Sequence, residues 1–283
     1  MGYSRGNRTR KSESDGSNQM KLEDKVAIVV GGASGVGRAS AVLLAQEGAK
    51  VMIADVVAEN ADKVASDIRV KGGEASTVKV DFRYEDEVNE MVKTTLEKYG
   101  KIDILVNAAG GIVGTLLPTN LTGDLPTRGA AVAEQSKELW DWMMDMNLNG
   151  PRHCVRAVIN HMIERKSGKI VLISSIAAID GLAGNSDYTA AKAGVIGFVK
   201  ALAREVAQYG IQANCVTPSA TWSEGRQAAM AHHRPEGQEI PVDMTGMAMP
   251  EELAEAVLFL ASYGSDHMSG QNIIFGIPMP PRR

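Results

Sequence analysis

The stretch "VAIVVGGASGVGRA" at residues 26–39 joins a short apolar run to a glycine-rich turn. The run is mostly β-branched, which is typical of a buried strand. Glycines allow a tight bend and let a phosphate approach backbone N–H groups where a helix begins, at about Val36. The stretch predicts a strand, a phosphate-binding turn and a helix, and a tight connection without a ligand is the alternative. The turn residues expected to contact the phosphate are Gly31, Ser34, Gly35, Val36 and Gly37.

Similar apolar runs recur along the chain, separated by segments with apolar residues at helical spacing, such as Val88, Met91, Val92 and Leu96. A chain that repeats the order strand, crossover helix, strand forms right-handed connections and a parallel sheet. We therefore predict an α/β fold, a single doubly wound Rossmann domain with a seven-stranded parallel sheet and helices on both faces. The predicted strands are residues 26–30, 51–55, 75–80, 102–107, 169–174, 211–216 and 271–275.

The domain is expected to span residues 21–283. Residues 1–20 are polar and rich in Ser, Gly, Asn and Arg, which predicts a disordered tail. Two segments, at about 111–135 and 218–249, carry Gly, Pro and Thr without a clear period. Both follow the carboxyl ends of predicted strands, where open α/β sheets bind ligands, so we expect them to border the substrate.

Composition narrows the function classes. The chain has 283 residues, a formal net charge of -4 and two separated cysteines, which argues against a nucleic-acid partner and a disulfide framework. No apolar run is long enough to cross a bilayer, so we expect no membrane partner and a cytoplasmic protein. His232 and His233 are adjacent but lack a third ligand, so no metal site is predicted.

Asp55 ends the second predicted strand, about 20 residues after the glycine turn, where a carboxylate can accept hydrogen bonds from the adenosine ribose. A carboxylate there also repels a 2′-phosphate, and no Lys or Arg precedes Gly37 within the turn. These features favour NAD over NADP. The alternative is that Asp55 caps the helix that follows.

Tyr188 and Lys192 lie four residues apart, on one face of a predicted helix, with only small residues between them. The alternative is that the pair has no ligand, because a half-buried tyrosine ring beside a solvated lysine is common on helices. Ser175 shortly precedes the helix, close enough for its hydroxyl and that of Tyr188 to meet one carbonyl oxygen. We expect its neighbour Ser174 to be turned away, because successive side chains on a strand alternate.

Together these motifs resemble the short-chain dehydrogenase/reductase family over residues 22 to roughly 275. The sequence differs from the usual family pattern at Val30, at Ser219 and at "FGIPMPP" (275–281). At these positions the family usually has threonine, glycine and an acidic Gly-Gly ending, respectively. The motifs that carry it are "GGASGVG" (31–37), "NAAG" (107–110), Asn147 in "MNLNG", Ser175, "YTAAK" (188–192) and "PEELAEAVLFLAS" (250–262).

The resemblance implies a role for each matching residue. Tyr188 is the general acid or base, Lys192 holds the nicotinamide ribose and lowers the pKa of the tyrosine, and Ser175 binds the reacting oxygen. Asn147 holds a water in the proton relay. Asp81 contacts the adenine, and the strand-four turn lies against the cofactor. The remaining implied cofactor residues are Asn107, for which a structural role is favoured, Ala108 and Pro218.

From these residues we expect an NAD-dependent oxidoreductase that interconverts a secondary alcohol and a ketone, on a small cyclic, aromatic or otherwise apolar substrate. One alternative is a 3-oxoacyl thioester reductase, for which a basic patch beside the cleft and a preference for NADPH would be expected. Another is a sensor or scaffold that binds NAD without turnover. Relatives in this family are commonly homotetramers or homodimers, so one of these assemblies is expected.

Overall fold

The computed structural model describes residues 20–112, 131–224, 226–227 and 247–275. Within them, seven strands form one all-parallel sheet. This confirms the predicted fold, and every predicted strand end lies within two residues of the observed one. The strands are β1 (Val26–Val30), β2 (Lys50–Asp55), β3 (Glu74–Lys79), β4 (Ile104–Asn107), β5 (Gly168–Ile173), β6 (Ile211–Pro218) and β7 (Asn272–Phe275).

Helices connect the strands as right-handed crossovers require. None of the helices in the described residues is long and apolar enough to cross a membrane. A π-helical turn, Asp145–Asn149, joins the fourth and fifth helices. The helices are α1 (Gly35–Gln46), α2 (Ala58–Val70), α3 (Glu85–Tyr99), α4 (Lys137–Met144), α5 (Gly150–Arg165), α6 (Ala177–Asp180), α7 (Ser186–Val206) and α8 (Pro250–Ala261).

The sheet is buried on both faces, and a separate apolar core covers each face. Side chains alternate along β1, so Ile28 enters one core and Val29 the other. The first core contains Met91 of α3 and residues of α5 and α7, and the second contains Leu44 of α1 and residues of α2 and α8. This arrangement explains why the strands read as continuous apolar runs rather than as alternating ones.

The strand order β3-β2-β1-β4-β5-β6-β7 reverses direction between β1 and β4, which opens a crevice at their carboxyl ends. The glycine turn after β1 lies in this crevice. A Cβ atom on Gly31 would lie 2.7 Å from the Ala109 nitrogen, and one on Gly37 would lie 1.9 Å from the Gly31 carbonyl oxygen. Only glycine permits backbone to pack this closely, so the turn brings α1 against the end of β4.

The two predicted substrate-side segments lie partly outside the described residues. Of 218–249, the structure describes the first residues after β6 and the last before α8, which pair in a short parallel bridge between Thr221 and Ala248. Of 111–135, it describes Gly111, Ile112 and 131–135. Except for Met20, the predicted tail lies outside the described residues, so the division into tail and domain stays a prediction.

Candidate active site

Two hydrogen bonds join the end of β5 to α7. The Ser174 hydroxyl donates to the Lys192 backbone carbonyl at 2.8 Å, and the Lys192 ammonium donates to the Ile173 carbonyl at 3.1 Å. Ser174 is buried and turned into the fold, as expected for a structural residue at a strand end. These bonds set the position of α7, and with it Tyr188, relative to Ser175.

The Tyr188 hydroxyl lies in an apolar environment close to Ser175. Leu139 and Met143 of α4 form a small buried cluster, and the Tyr188 ring packs against it. Burial raises the pKa of Tyr188 above its usual value, and a hydrogen bond with the Ser175 side chain opposes that shift. The phenol is therefore protonated at neutral pH, in the form that can donate a proton.

Lys192 is 4% exposed and has no carboxylate partner among the described residues. Burial lowers its pKa to about 8, because the charged form loses hydration that one carbonyl only partly replaces. Its Nζ lies 5.8 Å from the centroid of the Tyr188 ring. The resemblance implied that Lys192 lowers the pKa of Tyr188, whereas here the opposing contribution comes from Ser175 and the ammonium is directed to the Ile173 carbonyl.

Asn147 lies in the π-helical turn and is fully buried. Its Nδ2 donates to the Gly111 and Met143 carbonyls at 2.9 and 3.1 Å, and its Oδ1 accepts from the Gly111 N–H at 2.8 Å. The side chain therefore fixes the turn after β4. A Cβ on Gly110 would lie 2.8 Å from Asn147 Oδ1 and 3.1 Å from Lys192 Nζ, so the two residues meet at this glycine.

At the glycine turn, the first N–H group of α1 faces a carboxylate. The Gly35 N–H donates to Glu224 Oε2 at 2.7 Å, and Arg38 Nε donates to Glu224 Oε1 at 2.8 Å. Ser34 precedes the helix in an extended conformation, and its side chain makes no capping hydrogen bond. The turn thus binds an anionic group where the sequence predicts phosphate, which fits a dinucleotide cofactor.

Sequence reasoning missed Glu224, because it lies in a segment without a periodic pattern and far from the glycine turn along the chain. No local signal marks it. Only the fold brings the segment that follows β6 next to the start of α1.

Asp55 lies between the glycine turn and the start of α2. Its carboxylate accepts hydrogen bonds from the N–H groups of Ala33 and Val57, both at 3.0 Å. Burial raises the pKa of Asp55, and these backbone donors oppose the shift. The position beside the turn suits the predicted ribose contact, and the bond to Val57, which immediately precedes α2, also fits the capping alternative.

The other cofactor residues from the sequence analysis lie along the same edge of the sheet. Burial alone would raise the pKa of Asp81, but hydrogen bonds and the charge of Arg83 hold it below its usual value. Asn107 is buried, and its Nδ2 donates to the Cys154 sulfur at 3.5 Å. The Ala108 N–H donates to Val30, and Pro218 ends β6.

The fold gathers the predicted residues into two neighbouring groups. The first group, beyond the carboxyl ends of β4 and β5, consists of Ser175, Tyr188, Lys192 and Asn147. The second, at the carboxyl ends of β1, β2 and β3, consists of the glycine turn, Asp55 and Asp81. In the described part of the chain, no cluster of three or more His, Cys, Asp or Glu side chains could hold a metal ion. The His232 and His233 pair lies outside that part.

Comparison with known proteins identifies the family. Residues 25–234 match the model for short chain dehydrogenase. The chain therefore belongs to the short-chain dehydrogenase/reductase family, and the resemblance drawn from its motifs is confirmed. Members of this family are oxidoreductases that use a nicotinamide cofactor.

Three similar proteins illustrate the range of relatives. The chain is 35% identical over 260 residues to the 3-oxoacyl-(acyl-carrier-protein) reductase FabG of Thermotoga maritima, covering 90% of this chain and 97% of the relative. It is 34% identical over 259 residues to the (2S)-((R)-hydroxy(phenyl)methyl)succinyl-CoA dehydrogenase subunit BbsD of Thauera aromatica, covering 89% and 95%. A solved actinorhodin polyketide ketoreductase variant with NADPH is 28% identical, with a TM-score of 0.79 and coverage of 91% and 98%.

Replacing Asn147 with Ala should leave the Gly111 N–H and carbonyl buried without partners. We expect the free energy of unfolding, measured with urea, to fall by about 2 to 4 kcal/mol. Asn149→Ala is the matched control, because this residue lies in the same π-helical turn and its side chain donates to the Asp145 side chain near the surface. An equal loss in both variants would contradict the role assigned to Asn147.

Replacing Lys192 with Met should change how stability depends on pH. The folded pKa of about 8 lies below the ordinary 10.5, so the unfolded wild-type chain binds more protons between these values and wild-type stability rises with pH across that window. We expect the wild type to gain about 3 kcal/mol relative to Lys192→Met between about pH 7 and pH 11, measured by urea unfolding.

Lys200→Met is the control, since Lys200 is exposed on the same helix. If wild-type stability rose by the same amount relative to Lys200→Met over this pH range, the effect would not come from the buried amine.

Proposed function

We propose that this protein reduces 3-oxoacyl thioesters to 3-hydroxyacyl thioesters, and catalyses the reverse oxidation, with NAD(H) as cofactor. The observation that carries the reaction type is the placement of Ser175 and Tyr188 against each other beside a buried Lys192. This arrangement also argues against the sensor or scaffold alternative, because binding alone does not require a phenol paired with a serine hydroxyl beside a buried amine.

The names of the relatives support the choice of substrate. One specifies a 3-oxoacyl group on acyl carrier protein, and another specifies a hydroxylated succinyl-CoA. Both names describe acyl thioesters, which favours the thioester alternative over the simple ketone expected from the apolar residues of 218–249. Most of that segment lies outside the described residues. The second name also contains a phenyl group, so an aromatic acyl chain is compatible with this proposal.

The residues of this chain handle the proton. In the reducing direction, Tyr188 donates its hydroxyl proton to the substrate oxygen, and the Ser175 hydroxyl donates a hydrogen bond to the same oxygen. A bound nicotinamide cofactor supplies the hydride for the substrate carbon. Burial raises the pKa of Tyr188 further above neutrality, so its hydroxyl is protonated before each reduction. A proton from solvent then restores the phenol from the phenolate that remains.

The cofactor preference rests on Asp55. Its carboxylate lies beside the glycine turn, accepting from Ala33, and a negative charge there would repel a 2′-phosphate. The polyketide ketoreductase neighbour was solved with NADPH. For this chain we propose NAD(H) as the cofactor. We also propose that the protein is cytoplasmic and forms a homotetramer or a homodimer.

Tyr188→Phe tests the reaction. With acetoacetyl-CoA or acetoacetyl-acyl carrier protein as substrate, turnover followed by NADH absorbance should fall by about 10³-fold, because the proton donor is lost. NADH affinity, measured by fluorescence, should change little. Tyr209→Phe is the control, since this ring lies beyond the far end of α7.

An unchanged rate in Tyr188→Phe would remove this residue from the mechanism. Wild-type protein that reduces cyclic ketones but neither thioester would restore the substrate expected from the sequence. NADH binding without turnover of any ketone or alcohol would favour the sensor alternative.

Asp55→Asn tests the cofactor assignment. The amide keeps one acceptor oxygen for the Ala33 N–H and removes the charge. NADH should therefore bind about 10-fold more weakly, and the affinity for NADPH should rise relative to the affinity for NADH. Titration of both cofactors measures this change. Asp67→Asn, at an exposed position on α2, should leave both affinities unchanged. Equal losses for the two cofactors in Asp55→Asn would contradict the ribose contact.

A further inference from the structure

We propose that Glu224 is a built-in competitor for the cofactor: its carboxylate occupies the position of the pyrophosphate, and the cofactor must displace it to bind. The inference rests on the dinucleotide site of the proposed function. It adds a residue that sets cofactor affinity, and no part of the catalytic group requires it.

The contact with Gly35 places the carboxylate on the anion-binding end of α1. Gly35 is the first residue of the helix, so its N–H has no partner within the helix. Glu224 Oε2 accepts from it at 2.7 Å, the short distance typical of a charge-assisted hydrogen bond. Gly35 has a φ of +51°, and a Cβ there would meet Ser223 Cβ at 3.3 Å and Glu224 Oε2 at 3.8 Å. This side of the turn is thus covered by the segment after β6.

Arg38 contacts the other oxygen of the Glu224 carboxylate. Its Nε donates to Glu224 Oε1 at 2.8 Å, and its Nη2 donates to Glu251 Oε1 at 3.4 Å. A backbone N–H and a guanidinium together are the donors that a phosphate group uses. Burial would raise the pKa of Glu224, but its hydrogen bonds and Arg38 hold it below its usual value, so the group is ionised at neutral pH.

The segment that carries Glu224 is attached to the fold at its base. The Trp222 N–H donates to the Ala248 carbonyl at 2.9 Å, and the Ala248 N–H donates to the Ala220 carbonyl at 2.9 Å. These bonds hold the segment just after β6 while Glu224 extends from it to α1. Displacing the carboxylate therefore requires the Glu224 side chain to turn away from Gly35 while the base of the segment stays in place.

Competition follows from charge. A carboxylate and a phosphate cannot share the Gly35 N–H, and two negative groups at one helix end repel each other. The measured affinity for a dinucleotide is its intrinsic affinity multiplied by the fraction of molecules in which Glu224 has moved away. Because the Glu224 side chain is 47% exposed, this contact is of moderate strength, and removing it should strengthen binding by about 5- to 10-fold.

Glu224→Ala, Glu224→Gln and Glu251→Ala test the proposal by calorimetric titration with NADH, ADP and adenosine. We expect Glu224→Ala to bind NADH and ADP about 5- to 10-fold more tightly and adenosine as the wild type does, since adenosine has no phosphate. Glu224→Gln, which keeps an acceptor but loses the charge, should show a smaller gain. Glu251→Ala removes the other carboxylate partner of Arg38 without touching Gly35, and should leave all three affinities unchanged.

Unchanged or weaker NADH binding in Glu224→Ala would overturn the proposal, as would equal gains in Glu251→Ala or for adenosine. Failure of this inference can be told apart from failure of the proposed function. Protein that binds neither NADH nor ADP in any variant would refute the dinucleotide site itself. Tighter binding in Glu224→Ala without thioester turnover in the wild type would refute only the proposed reaction.

Discussion

The ammonium group of Lys192, buried at the carboxyl edge of the sheet, is the constraint around which Ser175, Tyr188 and Asn147 are arranged. The Lys192 ammonium donates a hydrogen bond to the Ile173 carbonyl, and the Ser174 hydroxyl donates one to the backbone carbonyl of Lys192. Gly110 gives the amine room, because any side chain there would press on Nζ and on Asn147. A buried charge with so little compensation is costly, which is typical of residues kept for chemistry rather than for stability.

The cofactor end of the crevice shows the opposite arrangement, in which negative side chains face exposed backbone donors. Asp55 accepts the N–H of Ala33, and Glu224 accepts the N–H of Gly35. A glycine turn leaves these donors free because its backbone is too tightly bent to satisfy them internally. In the proposed function the ribose and the phosphates of the cofactor use the same region, so these carboxylates set which dinucleotide binds and how tightly.

Much of the fold could be predicted from the chain itself. Apolar runs and amphipathic segments alternate along most of the chain, and all seven predicted strands are present in one parallel sheet. The small differences are at element ends, such as α1 starting at Gly35 rather than Val36, because helix ends depend on local hydrogen bonds that a pattern does not specify. Tyr188, Lys192 and Ser175 were predictable because helical spacing and a short loop relate them directly.

The amino-acid sequence by itself determined the fold class and the family, and it indicated the residues proposed to carry the chemistry, because these depend on local periodicity and on short motifs. Tertiary structure alone decided that Asn147 pairs with the backbone of Gly111, that burial rather than Lys192 dominates the pKa of Tyr188, and that Glu224 reaches the start of α1. The physical reason is the same in each case. Hydrogen bonding and desolvation depend on groups distant in sequence, which meet only when parallel strands place their carboxyl ends along one edge.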